Sequence, residues 1–211
     1  MVGDDRHSII QKLRDAERKS PSVYEPTRAL FLSVLRGKLD FEKAMQQAWR
    51  ISDDVEKKCA TQVLYASKDF LESQRPAHIA ALTGLVFSLP NGLPLSVSPI
   101  WVRQSDPDRI LVLHFWQTPF SDWQLSAAAA VLRQVLADYE YGASEIDFIS
   151  VPFSEVSNRR RFELYSWRKL KVMPPDELKR FWDRFISAWN EYQHKGPRAI
   201  KVRRDKTLFD P

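Results

Sequence analysis

The chain has little of what disulfide-bonded, metal-binding or membrane proteins need. Among its 211 residues there is one cysteine, Cys59, which excludes a disulfide within the chain and a zinc site with several cysteine ligands. Its six glycines form neither of the common glycine-rich phosphate loops, so no cofactor is expected. No run of about 18 apolar residues occurs, so we expect no membrane-spanning helix.

What remains is the composition of an ordinary globular protein. Hydrophobic residues make up 44% of the chain and charged residues 28%, enough for one large domain with a core of its own. The segment Met1–Arg6 contains no apolar stretch of signal-peptide length. We therefore expect a cytoplasmic protein that does not associate with membranes.

The hydrophobic periodicity predicts an α+β fold, similar to α/β proteins, in which a central mixed sheet of four or more strands is flanked by helices. We expect a single domain over residues 1–197. Its parts are a helical N-terminal part, a sheet core and an amphipathic C-terminal helix, at residues 1–75, 83–170 and 175–194. Residues 198–211 are expected to form a mobile basic tail.

Specific elements follow from caps, prolines and apolar runs. Ser52 is expected to cap a helix that continues to about Ser73. The segment Leu93–Arg103 predicts one strand with an irregularity at Pro99. The segment Arg109–Trp116 is almost unbroken in apolar residues, which predicts an interior strand covered on both faces.

Positive charge is concentrated in the C-terminal quarter. Residues 159–211 carry 15 Lys/Arg and 7 Asp/Glu, whereas residues 76–158 carry 3 and 8. Within this quarter, Arg159–Arg161 is the densest basic cluster, and aromatic and basic residues follow it closely. Cations that meet phosphates beside rings that stack on bases are typical of nucleic-acid binding. An edge strand kept soluble by its charges would look the same.

The sequence therefore predicts a nucleic-acid-binding surface for DNA or RNA. Its candidate residues are Arg159, Arg160, Arg161, Trp167, Arg168, Lys169 and Lys171.

The last helix offers a second kind of surface. It carries aromatic residues at helical spacing, which is typical of a packed core or of an interface with another chain. Phe181, Trp182 and Trp189 are the candidate contacts for a protein partner or a homodimer.

Few residues offer catalytic chemistry. His114 lies inside the apolar strand, where it is either a packed histidine or a general base, with Asp122, Glu145 or Asp147 as acidic partners. Asp106 and Asp108 flank a proline, which is chiefly turn chemistry. We therefore expect no catalytic residue and no metal ligand.

The order helix, strand, strand, strand, helix, strand over residues 41–151, with a proline in the second strand and a very apolar third strand, resembles the PD-(D/E)XK nuclease fold. In that family an acid follows the proline, an acidic residue and a lysine lie on the third strand, and some branches add a glutamine at the start of the next helix. The corresponding positions in this sequence hold Pro99, Ile100, His114, Phe115, Trp116 and Gln124.

Of these residues, Pro99 and Gln124 match the family pattern, and the acids and the lysine are missing. Cleavage of a phosphodiester needs carboxylates to hold Mg²⁺ and a cation near the phosphate. The resemblance thus implies an inactive relative that binds without cutting. The first hypothesis is a non-catalytic nucleic-acid-associated protein. A protein–protein interaction module or assembly subunit that uses the tryptophan-rich last helix is the alternative, and an enzyme centred on His114 is a second alternative.

Overall fold

A computed structural model describes residues 21–89, 92, 94–97, 100–105, 107–154, 156–157 and 159–195. The contacts divide the chain into two compact units, one that ends at Leu178 and a second that includes residues 179–195. The expected tail, residues 198–211, lies outside the described residues. The extent of a single domain over residues 1–197 stays a prediction.

Four helices make up the described N-terminal part. They follow a short 3-10 turn and are α1 (Glu25–Leu35), α2 (Phe41–Trp49), α3 (Asp54–Ala66) and α4 (Lys68–Ser73). Local sequence explains their ends. Gly37 follows α1 with φ of +69°, and the Asp40 carboxylate accepts a 2.7 Å hydrogen bond from the Lys43 amide at the start of α2.

The prediction of one helix capped by Ser52 and continuing to Ser73 is wrong in two respects. Asp53 is the cap, because its carboxylate accepts hydrogen bonds of 2.9 Å from two amides of the first turn. The helix also breaks at Ser67, between α3 and α4. Leu64 and Leu71, on either side of the break, are both buried in the same core.

A five-stranded mixed sheet forms the centre of the fold, as the α+β prediction requires. Its strands are β1 (Ile79–Leu82), β4 (Ile100–Arg103), β5 (Arg109–His114), β6 (Glu145–Ser150) and β7 (Glu163–Ser166), in the spatial order β1-β4-β5-β6-β7. Only β5 and β6 run parallel; the other neighbours are antiparallel. A separate hairpin consists of β2 (Val86–Ser88) and β3 (Pro94–Ser96).

The predicted strand Leu93–Arg103 is therefore two strands in two different sheets. Its first part pairs in the hairpin, and its second part, β4, belongs to the main sheet. A proline lacks the amide N–H that a ladder needs, so the segment around Pro99 cannot pair throughout. Strand β1 was not predicted, because its Ala80 and Ala81 have little preference for strands.

The apolar segment forms an interior strand, as predicted. Strand β5 is the third of the five strands. Its consecutive residues Ile110 and Leu111 point to opposite faces of the sheet, yet they are only 0% and 3% exposed. One face packs against the N-terminal helices in a core that includes Phe31, Leu111 and Ile149. Both faces are covered, which is the general condition for a strand of this composition.

Helix α5 (Asp122–Ala137) connects the parallel strands β5 and β6. Its crossover must lie on one face of the sheet, and the N-terminal helices occupy the other face. The final helix, α6 (Pro175–Lys195), begins at a proline as predicted. Throughout the described part of the chain, no helix combines the length and the apolar character needed to cross a membrane.

The end of α1 provides a test of this packing. A Cβ atom at Gly37 would lie 2.8 Å from Cβ of Pro76, and the residue has positive φ. Gly37→Ala should therefore lower the free energy of unfolding by about 2–4 kcal/mol, from backbone strain and steric overlap together. Equilibrium unfolding in urea measures it.

Gly84→Ala is the matched control, since Gly84 has φ of +76° but no heavy atom within 4 Å of the added Cβ. It should cost only the backbone strain, about 1–2 kcal/mol. Equal losses in the two variants would contradict the close packing of Gly37 on Pro76.

Candidate functional site

The arginines of the predicted basic cluster have different partners in the structure. The Arg160 guanidinium donates hydrogen bonds to the carbonyl oxygens of Phe115 and Val151, at 2.7 and 2.6 Å. It also lies over the rings of Tyr24 and Phe153, 5.8 and 4.8 Å from their centroids. Arg160 therefore joins the ends of the two parallel strands to the helical part. Its Nη1 donates within the fold and its Nε is buried, so neither group is exposed to a phosphate.

Two other arginines of the set are paired with carboxylates. Arg161 forms an ion pair with Glu163, two residues along the same segment. Arg168 pairs with Glu145 at 2.7 Å, although its side chain is 75% exposed. These pairs reduce the positive field of the surface. Arg159 is exposed, and no ion pair with another described residue involves it.

Trp167 lies beneath a cation from another element. The guanidinium of Arg133, on helix α5, is 4.1 Å from the centre of its ring. Trp167 begins a short 3-10 turn, Trp167–Lys169, directly after β7. The cation covers one ring face, so Trp167 contributes to the anchoring of this turn on α5 more than to a surface for stacked bases.

The remaining two candidates, Lys169 and Lys171, line a cleft. The cleft has a volume of about 470 Å³ and lies between the start of α5 and the segment after β7. Trp123 and Tyr165 contribute aromatic rings to its lining, and Met173 contributes an apolar side chain. Neither lysine forms an ion pair with a described residue.

Trp123 is not among the predicted residues, because it lies far from the basic cluster in the sequence. The parallel crossover brings its first turn to β7, and no local pattern in the sequence signals that approach.

Tyr165 is held in the cleft by a hydrogen bond. Its hydroxyl donates to Oε2 of Glu163 at 2.5 Å. Burial, followed by this hydrogen bond and the negative charge of Glu163, raises the pKa of Tyr165 to about 12. The ring is therefore neutral in the physiological range. Asp122 and Glu177 also line the cleft, so its two lysines face two carboxylates.

His114 lies on the face of the sheet opposite the N-terminal helices. Its ring stacks on Phe120 with 3.9 Å between centroids, and its Nδ1 is 3.1 Å from the Ser150 hydroxyl oxygen. Burial, with a smaller contribution from the positive charge of Arg160, lowers the pKa of His114 to about 4; Glu163 opposes this shift. The imidazole is thus neutral and packed.

The acidic partners considered for His114 do not assemble around it. Glu145 and Asp147 lie on β6 like Ser150, but their side chains are on the opposite face of the sheet from Ser150 and His114. There both carboxylates pair with Arg109. Asp122 is the first residue of α5. Ser150 is 0% exposed, so the polar contact of His114 is a buried structural one. The geometry does not support an enzyme centred on His114.

Two of the positions that correspond to nuclease motifs hold buried packing residues, whereas Trp116 is 62% exposed. Ile100 is 3% exposed and Phe115 is 1% exposed, so both belong to the core. Gln124 accepts a 2.9 Å hydrogen bond from the Ser121 amide, and Ser121 caps α5 in return. The matching glutamine therefore closes a helix N-terminus. Pro99 and Asp106 lie outside the described residues.

Other titratable groups offer no metal site. Within the described ranges, no three residues of the His, Cys, Asp or Glu types cluster in a way that could hold a metal ion. Cys59 is 8% exposed on the inner side of α3. Asp108 accepts a hydrogen bond from the Ser105 amide at 3.0 Å, which is turn chemistry.

The predicted partner interface lies on the last helix. Phe181 and Trp182 contact each other with 4.7 Å between ring centroids, and Trp182 is 7% exposed. Trp189 is half-buried and packs with Tyr192. Nothing in the structure tests whether a partner binds here, so this interface stays a prediction.

Comparisons with known proteins return no match. No family model, no curated protein and no solved structure resembles the chain closely enough to be matched. The function therefore has to be argued from the site itself.

Arg160 is the first test of this description. Arg160→Ala removes a charged donor from two carbonyl oxygens and leaves them unsatisfied, which should lower the free energy of unfolding by about 2–4 kcal/mol. Arg159→Ala removes an exposed neighbour of the same type and should change it by less than about 0.5 kcal/mol. Unfolding in urea distinguishes the two. Equal effects would show that Arg160 does not hold the strand ends.

The lowered pKa of His114 predicts that the stability of the protein depends on pH. The folded-state pKa of His114 lies below its ordinary value, so the unfolded chain takes up the proton first as the pH falls. The contribution of His114 to the free energy of unfolding is therefore present above about pH 6.5 and is lost as the pH falls toward 4. Between about pH 7 and 5 the wild type should lose about 2 kcal/mol more than His114→Gln. Urea unfolding at both pH values measures it, and equal losses would contradict the buried neutral imidazole.

Proposed function

We propose that the protein is a non-catalytic nucleic-acid-binding protein, and that its contact surface is the cleft between α5 and the segment after β7. The observation that carries this proposal is that two lysines and two aromatic rings line the same cleft. Lys169 and Lys171 have no ion-pair partner among the described residues, and Trp123 and Tyr165 line the same cleft. Single-stranded nucleic acid is bound by this combination of phosphate neutralisation and base stacking.

The surface is smaller than the sequence predicts. Arg160 forms hydrogen bonds within the fold. Arg161 and Arg168 form ion pairs with Glu163 and Glu145. Arg159 adds an exposed positive charge to the same C-terminal quarter. The phosphate contacts proposed within the cleft are therefore Lys169 and Lys171, and Arg159 lies outside its lining.

The proposal includes binding without cleavage. An inactive relative of the PD-(D/E)XK nucleases would have this property, and the buried side chains of Ile100 and Phe115 agree with it. His114, at a position where that family has an acid, offers an imidazole and no carboxylate for Mg²⁺.

A salt titration tests the proposal. We expect a fluorescent single-stranded oligonucleotide, DNA or RNA, to bind the full chain at low salt and to dissociate as salt rises, because phosphate contacts release counterions. In Lys169→Gln/Lys171→Gln, the affinity should fall about tenfold, and the slope of log K against log salt should become shallower by about 1.4, for two lost contacts.

Lys38→Gln/Lys58→Gln is the matched control, since it removes two exposed lysines from the helical part. It should leave both affinity and slope unchanged. Equal effects in the two double variants would mean that binding is a response to net charge and that the cleft is not the site.

The charge balance of the cleft favours a second candidate. Asp122 and Glu177 match its two lysines in number, and apolar side chains make up much of the remaining lining. A peptide segment of another protein with mixed charge would fit such a surface. If no oligonucleotide binds at low salt, the nucleic-acid proposal fails and a protein partner becomes the better explanation.

A further inference from the structure

A groove lies on the other face of the sheet, against the N-terminal helices. Its volume is about 510 Å³, which is within the range of small-molecule sites. Phe70 of α4 forms part of its wall, and Leu111 and Ile149 line it from the sheet. Leu111 and Ile149 are almost completely buried, so the apolar surface that a ligand can reach comes chiefly from Phe70, Ala77 and Leu164.

The polar part of this groove contains a carboxylate oxygen with no hydrogen-bond partner. Asp147 is 5% exposed, and its Oδ2 accepts a 3.0 Å hydrogen bond from Arg109. Its Oδ1 is buried and accepts no hydrogen bond from any described residue. A buried acceptor left unsatisfied is costly, and such groups are rare in folded proteins. A ligand that donates an N–H to this oxygen would remove the cost.

The same groove carries one positive charge, that of Arg103, which has no carboxylate partner among the described residues. Arg109 pairs with Asp147 and Glu145, and Arg168 also pairs with Glu145, so these four charges cancel. Arg103 donates only to neutral oxygens, at 2.7 Å to Oε1 of Gln74 and 3.1 Å to the Arg75 carbonyl. Its charge is therefore available to an anionic group.

We propose that this groove binds a nucleoside monophosphate. Three requirements lead to this class: a flat apolar part, an N–H donor for Asp147 and an anionic group for Arg103. A purine base supplies the first two, and a phosphate is a preferred partner of an arginine guanidinium. A free amino acid would supply a donor and an anion but leave most of the volume unfilled.

This site is independent of the cleft proposed for nucleic acid. The cleft is formed by α5 and by the segment after β7, whereas the groove lies where β5 and β6 meet α1 and α4. Leu164 is the one residue that lines both. Failure of either proposal therefore leaves the other standing.

Calorimetric titration of the full chain with GMP tests the proposal, because the guanine edge carries adjacent N–H donors. We expect a Kd below about 1 mM. Arg103→Gln removes the uncompensated charge, and Asp147→Asn exchanges one acceptor oxygen for a donor. Each should weaken GMP binding at least about tenfold, while Lys169→Gln/Lys171→Gln should leave it unchanged.

Separate titrations with guanosine and with inorganic phosphate should each show binding at least about tenfold weaker than GMP, since each lacks one of the two groups. Thermal unfolding of each variant establishes that it is folded. Should Asp147→Asn fail to fold, Arg103→Gln and Arg103→Lys decide the matter, with the lysine variant retaining more affinity. GMP that does not bind at about 1 mM, or that binds wild type and Arg103→Gln equally, overturns the proposal.

Discussion

The structure depends on the burial of one parallel strand pair. Strands β5 and β6 have apolar side chains on both faces, and each face needs a cover of its own. The N-terminal helices supply one cover and α5 supplies the other. Arg160 then ties the ends of the same two strands to each other and to Tyr24. The positions of the cleft and the groove follow from this arrangement, because the two faces of the pair acquire different polar residues.

The strand pair also explains why charge in the sequence is a poor guide to charge on the surface. Three neighbouring arginines look equivalent along the chain, yet Arg160 acts inside the fold and Arg161 has an acidic neighbour. Arg168 and Glu145 are 23 residues apart and become a pair only through the pairing of β6 with β7. A cluster of cations in sequence thus gives an upper limit on the field that a ligand meets.

Local chemistry made much of the fold predictable. The interior strand, the cap at Asp40 and the proline at the start of the last helix all follow from short patterns. The failures concern tertiary demands. The helix breaks at Ser67 within a periodic segment that carries no local stop signal. The alanines of β1 form a strand because β4 offers an edge to pair with. The pairing of Asp147 with Arg109 requires the register of β5 against β6, which no single segment specifies.

Strand β7 lies between the cleft and the groove. It has four residues and forms one edge of the sheet, and Leu164 on it lines both the cleft and the groove. Two ligands bound on opposite sides would be separated by the thickness of this one strand and its side chains. Any movement of this strand on occupation of one side alters the wall of the other. Whatever coupling results must be equal in both directions, because linkage between two binding equilibria is reciprocal.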